Sequence, residues 1–379
     1  MTDLPIWVLV STALFEAVLI LRAWLAWRGH RDHGQGVPMD LTVVIPLYGW
    51  DLGLPDLVRQ LLAQRYDAAV QVIVVVDKDH PRAGELPEDD RVRLLHPPPC
   101  PADWHDKVWR MHQGATAAAH DAVLFMDSDV TADPDTLAHR ARHHLGDFSF
   151  CIPLYAAPNN NAERLLAAFT DYSNYTLYKA SFAVRDLATA IGPSMLCTAD
   201  RAFLLEGLST HRAAMADDHC LGHWFRSQGR RVHLGAEPVH VAKHGASLRE
   251  VAQQIIRWLM LPRTVIHALM PHAVVALALG SLLNALPPML VYAGLALSLA
   301  GVASGPAILA AGFLFLLTEG LALVFVEQAY ARRRYPAYPW RHVLFVPLAA
   351  LSQIWLLGIA MVSSRVTMRG ISRKVKRDQ

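Results

Sequence analysis

Between residues 38 and about 245 the chain alternates short apolar runs with segments whose apolar positions recur at helical spacing. That rhythm is the mark of a sheet built from strand, helix, strand units. Residues 41–46 read as a first strand, and 55–64 as the helix after it. Residues 70–76 form a second strand ending at Asp77, and 91–95 a short third before His96-Pro97-Pro98-Pro99. Residues 107–119 read as a helix feeding the wholly apolar strand Ala122-Val123-Leu124-Phe125-Met126. An unalternating run of this kind is buried on both faces, as in a parallel sheet. Residues 148–154 and the region around 195–198 are later strands. Residues 216–228 form a helix, opened by Asp217 and Asp218, which suit the positive end of its dipole, and stopped by Gly229. With right-handed crossovers these elements make an open, Rossmann-like α/β sheet with its loops on one edge.

Elsewhere the rhythm disappears. Residues 4–27 are nearly all apolar, interrupted by Glu16 and Arg22, and long enough for one membrane span. A start at Asp3 lacks the basic opening of a secretory signal, so the run reads as an uncleaved anchor. Arg28 and Arg31 follow it, placing the N-terminus outside and the next domain in the cytosol, with Trp24 and Trp27 at the interface. In 247–262 the positions Leu248, Val251, Ile255 and Leu259 share a helical face, with Arg249, Arg257 and Arg263 alongside. Such a helix lies on a bilayer surface. No Lys or Arg occurs between Arg263 and Arg332, and breaks at 284–288 and 301–306 divide that stretch into three expected spans. A fourth runs over 342–362, and the tail carries Arg365, Arg369, Arg373, Lys374, Lys376 and Arg377, which should face the cytosol. Four spans would leave Arg332, Arg333 and Arg334 outside, so one segment is expected to be re-entrant or interfacial. The expected division is an anchor (1–37), a cytosolic sheet domain (38–246), an interfacial helix (247–263), a membrane region (264–364) and a basic tail (365–379).

Composition agrees with this division. Of 379 residues, 53% are hydrophobic and 18% charged, with a mean hydropathy of +0.23, too apolar for an ordinary soluble protein. A net charge of +2 gives no basic field for nucleic acid. No repeat, low-complexity linker or protein-partner motif stands out. The cysteines Cys100, Cys151, Cys197 and Cys220 form no CxxC pair and read as reduced thiols. Cys220 has His219, His223, His240 and His244 within reach in sequence, but their spacing fits no standard zinc finger.

The chemistry begins at Asp127-Ser128-Asp129, directly after the buried strand. Ligands collect at the carboxyl ends of strands in open α/β sheets. Two hard oxygen donors there suit a divalent metal that also touches phosphate. The alternative is an ordinary Asx turn. Asp77, Asp127 with Asp129, Asp218 and Gln254-Ile255-Ile256-Arg257-Trp258 then follow in order. This order resembles the D, DxD, D, QxxRW signature of family 2 glycosyltransferases of GT-A fold, and more closely the ceramide glucosyltransferase branch. Pro46-Leu47-Tyr48-Gly49-Trp50-Asp51, Val76-Asp77-Lys78-Asp79-His80-Pro81, Lys107, Gly192-Pro193-Ser194-Met195 and Val366-Thr367-Met368-Arg369-Gly370 carry that likeness. It covers residues 1 to about 263 well and the rest in layout only. Ala102-Asp103-Trp104-His105-Asp106 departs from the Asn-Pro common in the branch, which bears on the acceptor.

The resemblance implies a set of roles. Asp127 and Asp129 would hold Mn²⁺ or Mg²⁺, Asp77 would bind the uracil edge, and Asp51 would support that pocket. Lys107 and Arg257 would meet phosphate, Gln254 would bind substrate beside them, and Trp258 would stack under sugar or acceptor. Asp218 would be the base, because the family's acidic pair places it second, although Asp217 suits a helix start equally well. One base and no enzyme nucleophile imply inversion. The expected protein is a multi-pass membrane enzyme, bacterial inner membrane by layout, moving a hexose, glucose first, from a UDP-sugar to a lipid hydroxyl, ceramide first. Hopanoid transfer, a processive polysaccharide synthase and a non-catalytic nucleotide-binding domain are the alternatives.

Overall fold

A computed structural model describes residues 6–28, 36–47, 49–155, 158–170, 190–235, 238–242, 245–261, 271–331, 345–363, 365–368 and 371–374. Tyr48, His244, Arg263, Arg332 to Arg334, Arg369, Gly370, Lys376 and Arg377 lie outside the described residues. The chain divides into a sheet unit, within Asp32–Ala157 and Asp186–His244, and a helical unit, within Met1–Arg31, Pro158–Arg185 and Gly245–Gln379.

The strands of the sheet unit are β1 (Leu41–Pro46), β2 (Val70–Val75), β3 (Val92–Leu95), β4 (Ala122–Met126), β5 (Val130–Thr131), β6 (Phe148–Phe150), β7 (Pro153–Tyr155), β8 (Ser194–Cys197), β9 (Val232–Leu234) and β10 (Val239–Val241). Seven of them form the main sheet in the order β3-β2-β1-β4-β8-β6-β9, and β5-β10-β7 form a small second one. β3, β2, β1 and β4 run parallel, whereas β8 is antiparallel to both β4 and β6. The sheet is therefore mixed, not all parallel. Every residue of β1 and β4 is buried. Fully burying a side chain such as Val43, Ile45, Leu124 or Phe125 contributes roughly 1.5–3 kcal/mol, which is why those runs do not alternate.

The helix Asp106–Ala117 lies on this sheet at Gly114, where an added Cβ would overlap Val44 and meet Val75. Glycine there sets how closely the helix approaches β1 and β2. The expected single strand over 148–154 is two strands in different sheets. Cys151 N donates to Ser194 O, but Val239 N donates to Ile152 O, so the chain changes partners between Cys151 and Ile152.

Glu163 belongs to the helical unit. Asn160 caps the helix Asn161–Thr170 through its side chain, and Glu163 reciprocates by accepting from Asn159 N. Glu163, 2% exposed, also accepts from Ala246 N, tying this helix to the start of the helix Leu248–Leu261. Residues 158–170 thus leave the domain expected over 38–246, because their apolar face packs on the helices Leu248–Leu261 and Phe345–Val362. Ser247 and Glu250 form a second reciprocal cap at the head of Leu248–Leu261.

Two helices, Pro271–Leu299 and Gly305–Ala331, stand where three spans were expected. Pro287 and Pro288 sit inside the first of these, and the real break is at Gly301, which takes a left-handed φ of 73°. Each proline removes a helical hydrogen bond. The two helices nevertheless pack closely at small residues: a Cβ on Gly294 would overlap Leu309, and one on Gly312 would crowd Val291. Glu16 of the helix Ile6–Arg28 accepts a hydrogen bond from Thr318 Oγ1 at 3.0 Å. After the helix Phe345–Val362 the expected tail forms a hairpin, β11 (Arg365–Met368) paired antiparallel with β12 (Ile371–Lys374). Over the described residues no helix is long and apolar enough to cross a membrane. The side chains of 6–9, 271–284 and 322–331 are not among those described.

Candidate active site

β2, β1 and β4 are parallel neighbours, so their carboxyl ends open on one edge of the sheet. That edge receives Asp51 after β1, Asp77 after β2 and Asp127 after β4. β8 runs the other way and starts there, with Ser194 opposite Met126. The preceding loop therefore reaches the same edge, and Asp127 N donates to Pro193 O at 3.1 Å. The helix Asp217–Ser227 presents its first turn to this loop: a Cβ on Gly192 would stand 3.1 Å from Asp218 Oδ2. Asp218 Oδ1 accepts from His219 N at 2.8 Å.

Lys107, in the first turn of the helix Asp106–Ala117, joins these pieces. Its Nζ stands 3.0 Å from Asp127 Oδ1 and 3.1 Å from Asp217 Oδ2. Burial works against its charge, but Asp127, Asp217 and Asp218 together outweigh burial and hold the ammonium well above the usual lysine range. Burial pushes the Asp127 carboxyl up; Lys107 opposes this, while Asp129 and Asp217 add to it. Lys107, Asp127, Asp129, Asp217 and Asp218 are thus one electrostatic cluster.

One turn along the same helix, Arg110 extends the cluster to Asp77. Its Nη2 donates to Asp77 Oδ1 at 2.8 Å and its Nε to Asp106 Oδ2 at 2.8 Å. Sequence reasoning missed Arg110, although the i, i+4 pair with Asp106 was a usable signal. It also gave Asp217 no partner. Asp51 Oδ1 accepts from Gly53 N at 3.0 Å, an Asx turn leading into the helix Leu54–Leu62. Gln254, Arg257 and Trp258 belong to the helical unit, on one face of Leu248–Leu261, and the Trp258 ring lies 6.4 Å from Phe169 at 18°.

Asp127 and Asp129 fit a divalent cation by donor chemistry: two carboxylates close enough for Asp129 to raise its neighbour. Mg²⁺ is held by one or two carboxylates with phosphate and water completing the shell. No group of three His, Cys, Asp or Glu that could hold a metal ion occurs among the described residues. Cys100, Cys151, Cys197 and Cys220 are free, and burial pushes the Cys197 thiol up to about 12.

Among solved structures, residues 1–349 of S. aureus TarS in complex with UDP-GlcNAc are 12% identical, with a TM-score of 0.37 over 90% of this chain and 97% of that one. A mycobacterial protein is 14% identical, with a TM-score of 0.31 over 63% of this chain and 77% of that one. No curated protein matches the sequence. The model of glycosyl transferase family 21 matches residues 6–379, and the chain belongs to that family.

Proposed function

We propose that the protein is a membrane-bound, inverting glycosyltransferase that moves a hexose, glucose first, from a UDP-sugar to a lipid hydroxyl, ceramide first. The observation that carries the reading is the convergence of Lys107, Asp127, Asp217 and Asp218 on one sheet edge, in a member of a glycosyl transferase family. In the proposed reaction the acceptor oxygen attacks the anomeric carbon as the bond to the diphosphate breaks. Asp218 takes the hydroxyl proton, and UDP leaves from the opposite face of the sugar. Lys107, already charged, exchanges a carboxylate for the departing phosphate. A divalent cation on Asp127 and Asp129 supplies, when bound, neutralisation of the diphosphate charge. Gln254, Arg257 and Trp258, on the helix Leu248–Leu261, are the substrate-binding residues that the family resemblance implies.

The bilayer belongs to this proposal. Leu14, Leu317 and Trp355, 64%, 52% and 66% exposed, stand on three different helices of the helical unit, with many apolar neighbours exposed as well. Water penalises such a surface and lipid does not.

The runner-up acceptor is a hopanoid hydroxyl, because the loop before Lys107 departs from the sequence common in the ceramide branch. The loop's Trp104 packs edge-on to Trp109 at 5.0 Å, and Asp103 pairs with Arg212 at 2.7 Å. The test is transfer by the purified chain from a panel of UDP-sugars to ceramide, hopanoid and diacylglycerol, read by mass spectrometry. A single-sugar glycolipid is the expected product. A polymer ladder, or no transfer from any UDP-sugar, would overturn the proposal.

A further inference from the structure

We infer that Lys107 stands in the divalent cation's place on Asp127 until a nucleotide diphosphate draws it away, so that the protein takes up metal together with its donor and not before it. The inference rests on the proposed use of a UDP-sugar and names a regulation of that same site.

Asp127 is the carboxylate that ammonium and cation would share. Its side chain is 31% exposed, so an ion from solvent can reach it, and Lys107 Nζ already stands 3.0 Å from its Oδ1. A dication settling on that carboxylate meets a like charge beside it, and such repulsion is strong where water is partly excluded. The lysine's other partner differs. Asp217 Oδ2, 3.1 Å from Nζ, belongs to a side chain only 7% exposed. Lys107 is thus tethered to a buried carboxylate and shares an accessible one, and the accessible one is the contact it can release.

The charges around Lys107 give that release a trigger. Asp127, Asp217 and Asp218 all act on its ammonium, three negative groups against one positive. An edge so charged draws cations, and Lys107 is the cation that the chain itself supplies. The same edge repels a diphosphate until positive charge turns to meet it. An ammonium has three hydrogens to donate, so Lys107 can turn one toward phosphate while Asp217 keeps another. Asp127 is then left to a metal that touches the same phosphate, the usual setting of Mg²⁺. Arg110, one turn along, is not the competitor, because Asp106 and Asp77 hold its Nε and Nη2 at 2.8 Å. Each ligand thereby removes the obstacle to the other, and the coupling is reciprocal.

Binding of Mn²⁺ to the full chain in detergent, read from the paramagnetic resonance of the free ion with and without UDP and corrected for chelation by UDP itself, tests this. UDP should tighten Mn²⁺ binding to the wild type by about tenfold or more, the ordinary range of coupling between two sites. Without UDP, Lys107→Met should bind Mn²⁺ about tenfold tighter than the wild type, and UDP should then add less. Lys107→Gln, whose amide can still donate to a carboxylate, carries the same expectation if Lys107→Met melts too low to measure. Lys107→Arg keeps a cation on Asp127 and should bind Mn²⁺ no tighter than the wild type does. Uncharged variants that bind Mn²⁺ no tighter than the wild type overturn the inference, as does Lys107→Arg binding as tightly as they do. A wild type that binds UDP but whose Mn²⁺ affinity UDP leaves unchanged, or that binds no Mn²⁺, also overturns it and leaves the UDP-sugar proposal standing. A wild type that binds no UDP overturns both.

Discussion

The two units solve opposite problems with the same chain. In the sheet unit the apolar side chains of β1 and β4 are inside, and the charges gather where the strands stop. In the helical unit large apolar side chains such as Leu14, Leu317 and Leu348 face outward, and glycines such as Gly294 and Gly312 sit at helix contacts. Under the proposed function the charges of the Lys107 cluster have chemistry to do, so altering one should change rate or binding. A polar group between the helices of the second unit, such as Glu16, holds them together, so altering it should change stability alone.

The largest effect should come from Asp218→Asn. General-base catalysis contributes typically 10²–10⁴-fold, so turnover should fall by on the order of a thousandfold while UDP-sugar affinity stays. Transfer rate and calorimetric affinity measured side by side decide the matter. Loss of affinity instead would make Asp218 a binding residue.

Lys107→Met comes next, and it strikes stability as well as rate. It leaves Asp127 and Asp217 without the ammonium that both touch. Breaking a buried pair costs about 3–5 kcal/mol, and Lys107, with its side chain 17% exposed, lies near the lower end. A thermal melt should show the sheet unit loosening, with Asp127→Asn in the same chain restoring part of the loss. The pH dependence has a worked sign. Asp127 is raised in the folded protein, so it binds a proton more readily there than in the unfolded chain. Its contribution to stability is full below the unfolded value and fades as pH rises through the folded one. Activity needs the ionised form to hold a cation, so the rate should decline on the acid side from a pH above the ordinary carboxylate range.

Removal of divalent cations with EDTA, or Asp129→Ala, should lower transfer by on the order of a hundredfold, the worth of one electrostatic stabiliser at a leaving group. Metal-dependent UDP binding should vanish with it. Full activity in EDTA would leave Lys107 as the diphosphate's main counter-charge.

The comparison also explains what was legible from sequence. β1 lies where its apolar run predicted it, and the helix Asp217–Ser227 begins one residue inside the expected 216–228, because Ala216 is its cap. Local pattern fixes such elements. The acidic positions were equally readable, since strand ends in a parallel sheet share an edge whatever the loops do. Arg110 was not, because its reach to Asp77 depends on how closely Gly114 lets its helix settle on β1. The split of 148–154 into β6 and β7 depends on which strands pair with Cys151 and Ile152, a fact the run of apolar residues does not contain. Pro287 and Pro288 look like a break to any local rule, and close helix contacts override it. The placement of 158–170 turns on Glu163 and Ala246, eighty-three positions apart in sequence.

The smallest effect should come from Glu16, and it tests the helical unit most sharply. Its Oε1 accepts from Thr318 Oγ1, joining the helices Ile6–Arg28 and Gly305–Ala331. In the proposed membrane setting, hydrogen bonds between helices average about 0.6 kcal/mol. Glu16→Gln keeps a carbonyl acceptor and should leave the melting temperature almost unmoved, whereas Thr318→Val should lower stability by about that amount. Neither should alter UDP affinity. The double variant should cost no more than Thr318→Val alone, since both changes act on one bond. A fall in transfer rate in Glu16→Gln, with stability intact, would mean that a carboxylate among these helices serves the reaction. The division of labour between the two units would then be wrong at that residue.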